Sequence, residues 1–98
     1  MWQQMKNLYK MQKQAKQIKK ELKSLEIEAE ENGVIVVVSG NQDILEIKIP
    51  DELCVPEEKI KLEKSIVVAT ARAMKKSQEI AAERMKPILG DMGMPGQS

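Results

Sequence analysis

The 98-residue chain contains no His and no Phe, and only one Cys, one Trp and one Tyr. Without His the commonest general base is missing, and so is the usual nitrogen ligand of a zinc site. Cys54 is alone, so it cannot close an internal disulfide, and no basic residue adjoins it to activate a thiolate. That usage fits a reducing, cytosolic compartment. Ser39, Ser65 and Ser77 lie in no nucleophile motif, and no Gly-rich loop precedes a helix to cradle phosphates. The expectation is a protein that is not an enzyme, with no cofactor, no metal and no small-molecule substrate. No apolar run approaches the roughly 20 residues needed to span a bilayer, and the N-terminus lacks the apolar stretch of a secretory signal. No membrane partner is expected.

Charge is balanced in sum and partitioned in sequence. The formal net charge is +1. Residues 1–24 carry seven Lys against one acid, a net of +6. Residues 25–63 carry eleven Asp or Glu against three Lys, a net of −8, and residues 64–98 six Lys or Arg against three acids, a net of +3. Two basic ends flank an acidic middle. The acids Glu26, Glu28, Glu30 and Glu31 read as a solvated strand face that repels polyanions, leaving phosphate contacts to the helices.

Leu8, Met11, Ala15, Ile18, Leu22 and Leu25 recur at alternating spacings of three and four, which makes a narrow apolar seam along residues 5–25, on a helix expected to end near Ser24. On the opposite face stand Lys6, Lys10, Lys13, Lys16, Lys20 and Lys23, with Lys19 at its edge and Trp2 and Tyr9 among them. A helix built only for solubility interleaves Glu for i,i+4 pairing. Here lysine follows lysine at Lys6/Lys10, Lys16/Lys20 and Lys19/Lys23, costing a few tenths of a kcal/mol per pair. A polyanion relieves that repulsion. Arg72, Lys75 and Lys76 form a second cluster, diluted by Glu79 and Glu83.

Between the helices the period falls to two. Ile27 and Ala29 alternate with Glu28 and Glu30, Asn32-Gly33 reads as a tight turn, and Val34 to Val38 is β-branched throughout. Ser39 to Asp43 turns the chain again, and Ile44 to Ile49 forms a third strand that Pro50 closes. A second helix opens at Pro56, with Glu57 and Glu58 in its first turn, and is expected to stop by Met85 or Lys86 because of Pro87. From Gly90 onward the composition is that of a flexible tail. The expected fold class is α+β: α-β-β-β-α, two long helices and a three-stranded antiparallel meander, with one domain over residues 1–89 and a Gly/Pro-containing tail over 90–98. The run Val34, Ile35, Val36, Val37, Val38 has no polar face and wants cover on both sides. A second copy supplies that cover, so these five residues are the expected interface of a sheet-mediated homodimer.

The order and spacing of three stretches resemble the YbaB/EbfC family of bacterial nucleoid-associated, DNA-binding proteins. They are the Lys- and Gln-rich helix from Met5 to Lys16, the strand and turn from Gly33 to Asn41 with Ile47 to Leu53 after it, and the tail from Gly90 to Gly96. The resemblance covers nearly the whole chain. It implies a dimer that holds its long helices out like the arms of tweezers, binds double-stranded DNA with limited sequence preference, and resides in the cytoplasm with the nucleoid. It also implies that the DNA contacts lie on the helices, here Lys6, Lys10, Lys13, Lys16, Lys20 and Lys23, with Arg72, Lys75 and Lys76. Alternatives open at this level are a prefoldin-like chaperone, a membrane-surface helix and a protein-interaction scaffold without DNA binding.

Overall fold

The computed structural model describes the backbone from Trp2 to Asp91 and the side chains from Leu8 to Pro87. Helix α1 (Trp2–Ser24) leads into strands β1 (Ile27–Glu31), β2 (Val34–Val38) and β3 (Ile44–Lys48). Two short 3-10 turns, Asp51–Leu53 and Pro56–Glu58, then precede helix α2 (Lys59–Asp91). The strands form an antiparallel sheet in the order β1-β2-β3. The α-β-β-β-α arrangement read from the sequence is the fold.

The β1–β2 turn follows from two residues. Asn32 and Gly33 both take positive φ, 52° and 89°, as a two-residue hairpin turn of the primed type requires. Glu30 accepts from the Gly33 amide at 2.8 Å. The pairing that results places Ala29 opposite Val36 and Ile27 opposite Val38. Their face of the sheet meets α2, where Ile27, Ala29, Val34, Val36, Val38, Leu53, Ala69 and Ala73 form the core. Val34, Val36 and Val38 retain no exposed surface, and burying each contributes about 1.5–3 kcal/mol.

Helix α2 approaches the sheet along Ser65, Ala69, Ala73 and Ser77, four small residues one turn apart and all buried. The two serines are satisfied at opposite ends of the sheet. Ser65 Oγ accepts from Asn32 Nδ2 at 3.0 Å and donates to the Lys61 carbonyl at 2.7 Å, while Ser77 Oγ donates to the Ser39 carbonyl at 2.8 Å. Beyond Ser77, α2 leaves the sheet and packs beside α1, with Arg84 and Glu21 paired at 3.4 Å. The protomer is therefore long, 67 × 26 × 13 Å.

Helix α2 differs from the sequence expectation at both ends. Its first turn is displaced, because Pro56–Glu58 forms a separate 3-10 turn and the α-helix starts at Lys59. At the other end it runs through Pro87 to Asp91. A proline removes one i→i−4 hydrogen bond, here to the Glu83 carbonyl, and α2 continues past that missing bond. Gly90 and Asp91 thus close α2, and residues 92–98 of the expected tail lie outside the described residues.

Candidate nucleic-acid interface

The expected basic face lies on α1. Lys10, Lys13, Lys16, Lys20 and Lys23 are exposed, as is Lys19 beside them, while Met11, Ala15 and Ile18 are half-buried and Leu22 is buried. Lys6 belongs to α1, but its side chain lies outside the described residues, as does that of Trp2. Among the described residues none of these lysines has a carboxylate within 4.0 Å; the two ion pairs found are Arg72–Glu31 and Arg84–Glu21. Among the described residues no ion pair compensates this positive charge.

Two hollows line this face and share Lys16. A smaller one of about 130 Å³ is bounded by Tyr9, Gln12, Lys13 and Lys16. The larger, an open groove of about 530 Å³, lies at the base of α1 between Lys16, Lys19, Lys20 and Lys23 on one side and Asn41 and Asp43 on the other. Together they form a track from the exposed ring of Tyr9 to the β2–β3 turn.

That turn is held by one buried residue. Ser39 Oγ accepts from the amides of Asn41 and Asp43, both at 3.2 Å, and its carbonyl accepts from Gln42 N at 3.0 Å as well as from Ser77. The Ser39 amide donates to the Asp43 carbonyl at 2.8 Å. Thus fixed, the turn caps the C-terminal end of α1: Gly40 N donates to the Leu22 carbonyl at 2.7 Å and Asn41 Nδ2 to the Lys19 carbonyl at 3.2 Å. The last carbonyls of a helix lack i+4 partners, and here the turn adds a donor to the Leu22 oxygen, which also accepts from Leu25 N at 3.2 Å. The direction of α1, and with it the lysine row, is set by these bonds and by packing on α2.

The second basic cluster is occupied differently. Arg72 Nη1 donates to the Glu30 carbonyl at 3.2 Å and pairs with Glu31 at 3.0 Å, and Lys76 Nζ donates to the Glu28 carbonyl at 3.0 Å. Both side chains cover the outer edge of β1. Lys75, between them in sequence, is exposed and has no carboxylate partner among the described residues. Of the nine cations expected to contact DNA, five on α1 share one described face, while Arg72 and Lys76 lie against the sheet edge.

Of the five β2 residues expected at a dimer interface, Val34, Val36 and Val38 are consumed by the core under α2. Ile35 is half-buried, and Val37 is buried on the other face of the sheet between its strand neighbours Glu28 and Glu46. Within the sheet the unfilled apolar surface lies instead on β3, where Ile44, Leu45 and Ile47 are 50%, 51% and 40% exposed, with Ile49 just beyond; outside it, Ile60 and Val67 on α2 are also exposed. Alternation in the sequence marked β3 as apolar on one face. That α2 covers β1 and β2 and leaves β3 bare depends on helix placement, which alternation does not encode. Nor did residue patterns single out Ser39, Gly40 and Asn41, although Ser65 and Ser77, one turn either side of Ala69 and Ala73, extend the buried line of α2.

Cys54 is exposed, with Sγ 3.6 Å from the Pro50 carbonyl. Among the described residues no helix is long and apolar enough to cross a membrane.

Comparison with known proteins finds relatives over most of the chain. A nucleoid-associated protein of Roseiflexus sp. (strain RS-1) is 37% identical over 87 residues, covering 88% of this chain and 87% of its own length. One from Clostridium kluyveri is 35% identical over 94 residues, covering 94% and 82%. A third, from Syntrophobacter fumaroxidans, is 39% identical over 75 residues, covering 76% and 68%. The profile of the YbaB/EbfC DNA-binding family matches residues 1–92, a span that takes in the lysine helix, the whole sheet and α2. By that match and by these relatives, the chain belongs to the YbaB/EbfC DNA-binding family.

Proposed function

We propose that this chain is a nucleoid-associated DNA-binding protein that acts as a homodimer and holds the DNA backbone with the lysines of α1. The observation that carries the reading is the exposed, unpaired lysine row on a helix that projects from the sheet. Ammonium groups neutralise phosphates and release their counterions, which gives affinity without reading bases. α1 carries no Arg, the side chain that most often reads guanine edges in the major groove. Membership of a DNA-binding family and relatives named for the nucleoid support DNA over the chaperone and scaffold alternatives, and a nucleoid location with it.

The proposed dimer forms through β3. Its outer edge is unpaired and it exposes Ile44, Leu45 and Ile47, whereas the β1 edge is covered by Arg72 and Lys76. An exposed apolar strand edge invites pairing, and a two-fold arrangement satisfies it with a second β3. Each copy then contributes one lysine helix.

Unrelated duplex sequences titrated at several salt concentrations test this. If the dimer engages about 6–10 phosphates, affinity for every sequence falls roughly 10³–10⁵-fold between 50 and 200 mM salt. Strong preference for one duplex, retained at the higher salt, refutes backbone recognition.

A further inference from the structure

The groove at the base of α1 differs from the rest of the lysine face because it has two walls. Lys16, Lys19, Lys20 and Lys23 are spaced i, i+3, i+4 and i+7, so one side of the helix presents all four. The opposing wall is the β2–β3 turn, locked by Ser39 and tied to both helices. Four ammonium groups face a single carboxylate, Asp43, so the groove carries a net +3. The helix dipole accounts for cations in the last turn. It does not account for four of them, because Gly40 N and Asn41 Nδ2 already donate to the Leu22 and Lys19 carbonyls. The row from Lys16 to Lys23 extends about 10 Å along the helix axis, the rise of about three phosphates on one DNA strand.

We propose that this groove is a seat for closely spaced phosphates, and that a free oligophosphate of the triphosphate class occupies it in competition with the DNA backbone. The proposal rests on the reading that α1 lysines contact phosphate, and adds a small ligand that regulates the same surface. A rigid wall reduces the ordering cost of binding, which a lysine row on an isolated helix does not offer. The seat is stronger for several phosphates in one molecule than for separate monovalent anions, because four cations act together on one ligand. Asp43 opposes the ligand and limits its affinity.

Inorganic tripolyphosphate is the probe. Its binding to the full chain is measured by calorimetry and by amide chemical shifts at constant ionic strength, with sodium sulfate as the matched control. The expected result is saturable binding that moves the Gly40 to Asp43 amides and displaces labelled duplex. Lys19→Gln/Lys23→Gln weakens tripolyphosphate roughly tenfold or more, and Asp43→Asn tightens it; a tenfold change is about 1.4 kcal/mol. Circular dichroism and molar mass check that each variant keeps its fold. Equal effects of sulfate and tripolyphosphate reduce the observation to screening and overturn the proposal, as does unchanged affinity in Lys19→Gln/Lys23→Gln. If duplex binds with steep salt dependence while millimolar tripolyphosphate moves none of the turn amides, the seat is refuted and DNA binding stands. If tripolyphosphate binds in the groove and no duplex binds at low salt, the DNA reading is refuted and the seat stands.

Discussion

Gly40 has no room for a methyl group. A Cβ there would lie 2.7 Å from the Leu22 carbonyl oxygen and 2.9 Å from Leu22 Cα, both backbone atoms of α1. Gly40→Ala therefore pushes the turn off the helix, with an expected cost of about 1–3 kcal/mol in thermal or denaturant unfolding. The same variant loses DNA affinity because the lysine row is no longer aimed by the turn. Val36→Ala serves as the contrast. It opens space in the core under α2 and costs a comparable 1.5–3 kcal/mol, yet leaves the joint between turn and α1 intact, so DNA affinity under folding conditions stays near wild type. At this scale the sequence was legible where backbone chemistry is local: Asn32-Gly33 announces its own turn. Ser39 and Asn41 were not legible, because their partners Ser77 and Lys19 lie 38 and 22 residues away and a hydroxyl or amide carries no periodicity.

Among the elements, β1 and α2 solve a problem that strand edges pose. The outward carbonyls of Glu28 and Glu30 accept from Lys76 and Arg72, two cations one helical turn apart on α2. Covered edges resist strand addition. Arg72→Ala/Lys76→Ala should therefore yield species heavier than the wild-type assembly on light scattering, with an increasing share as concentration rises. An unchanged mass would assign these cations elsewhere. Spacing reveals that Arg72 and Lys76 share a face, not that the face meets the β1 edge. The lysine row of α1 was legible for the opposite reason: the apolar seam at Met11, Ala15, Ile18 and Leu22 fixes the opposite face as solvent-facing. Pro87 shows the limit of punctuation residues, since α2 continues one turn past it despite the bond lost to the Glu83 carbonyl.

In the whole molecule, a thin sheet with one covered edge and one bare edge joins two long helices. Burial is incomplete in one protomer, and Ile44, Leu45 and Ile47 show where. Ile47→Glu places a charge on that surface, and the expected result is a monomer by sedimentation whose DNA affinity falls well below that of the dimer, because one arm neutralises half the phosphates. The sequence shows a sheet with too little cover, from the unbroken apolar run Val34 to Val38. That the bare surface falls on β3 was not legible, because α2 could have lain over any pair of strands. Everything at this scale depends on the lysines of α1 holding phosphate. The most direct measurement is fluorescence anisotropy of a labelled duplex titrated with wild type and with Lys13→Glu/Lys16→Glu/Lys20→Glu at several salt concentrations, with the molar mass of both proteins checked. The account predicts tight wild-type binding whose logarithm falls with log salt by about 0.9 for each phosphate engaged, and loss of binding in the triple variant with its assembly intact. A variant that binds as wild type does, or a wild type whose affinity ignores salt, would contradict it.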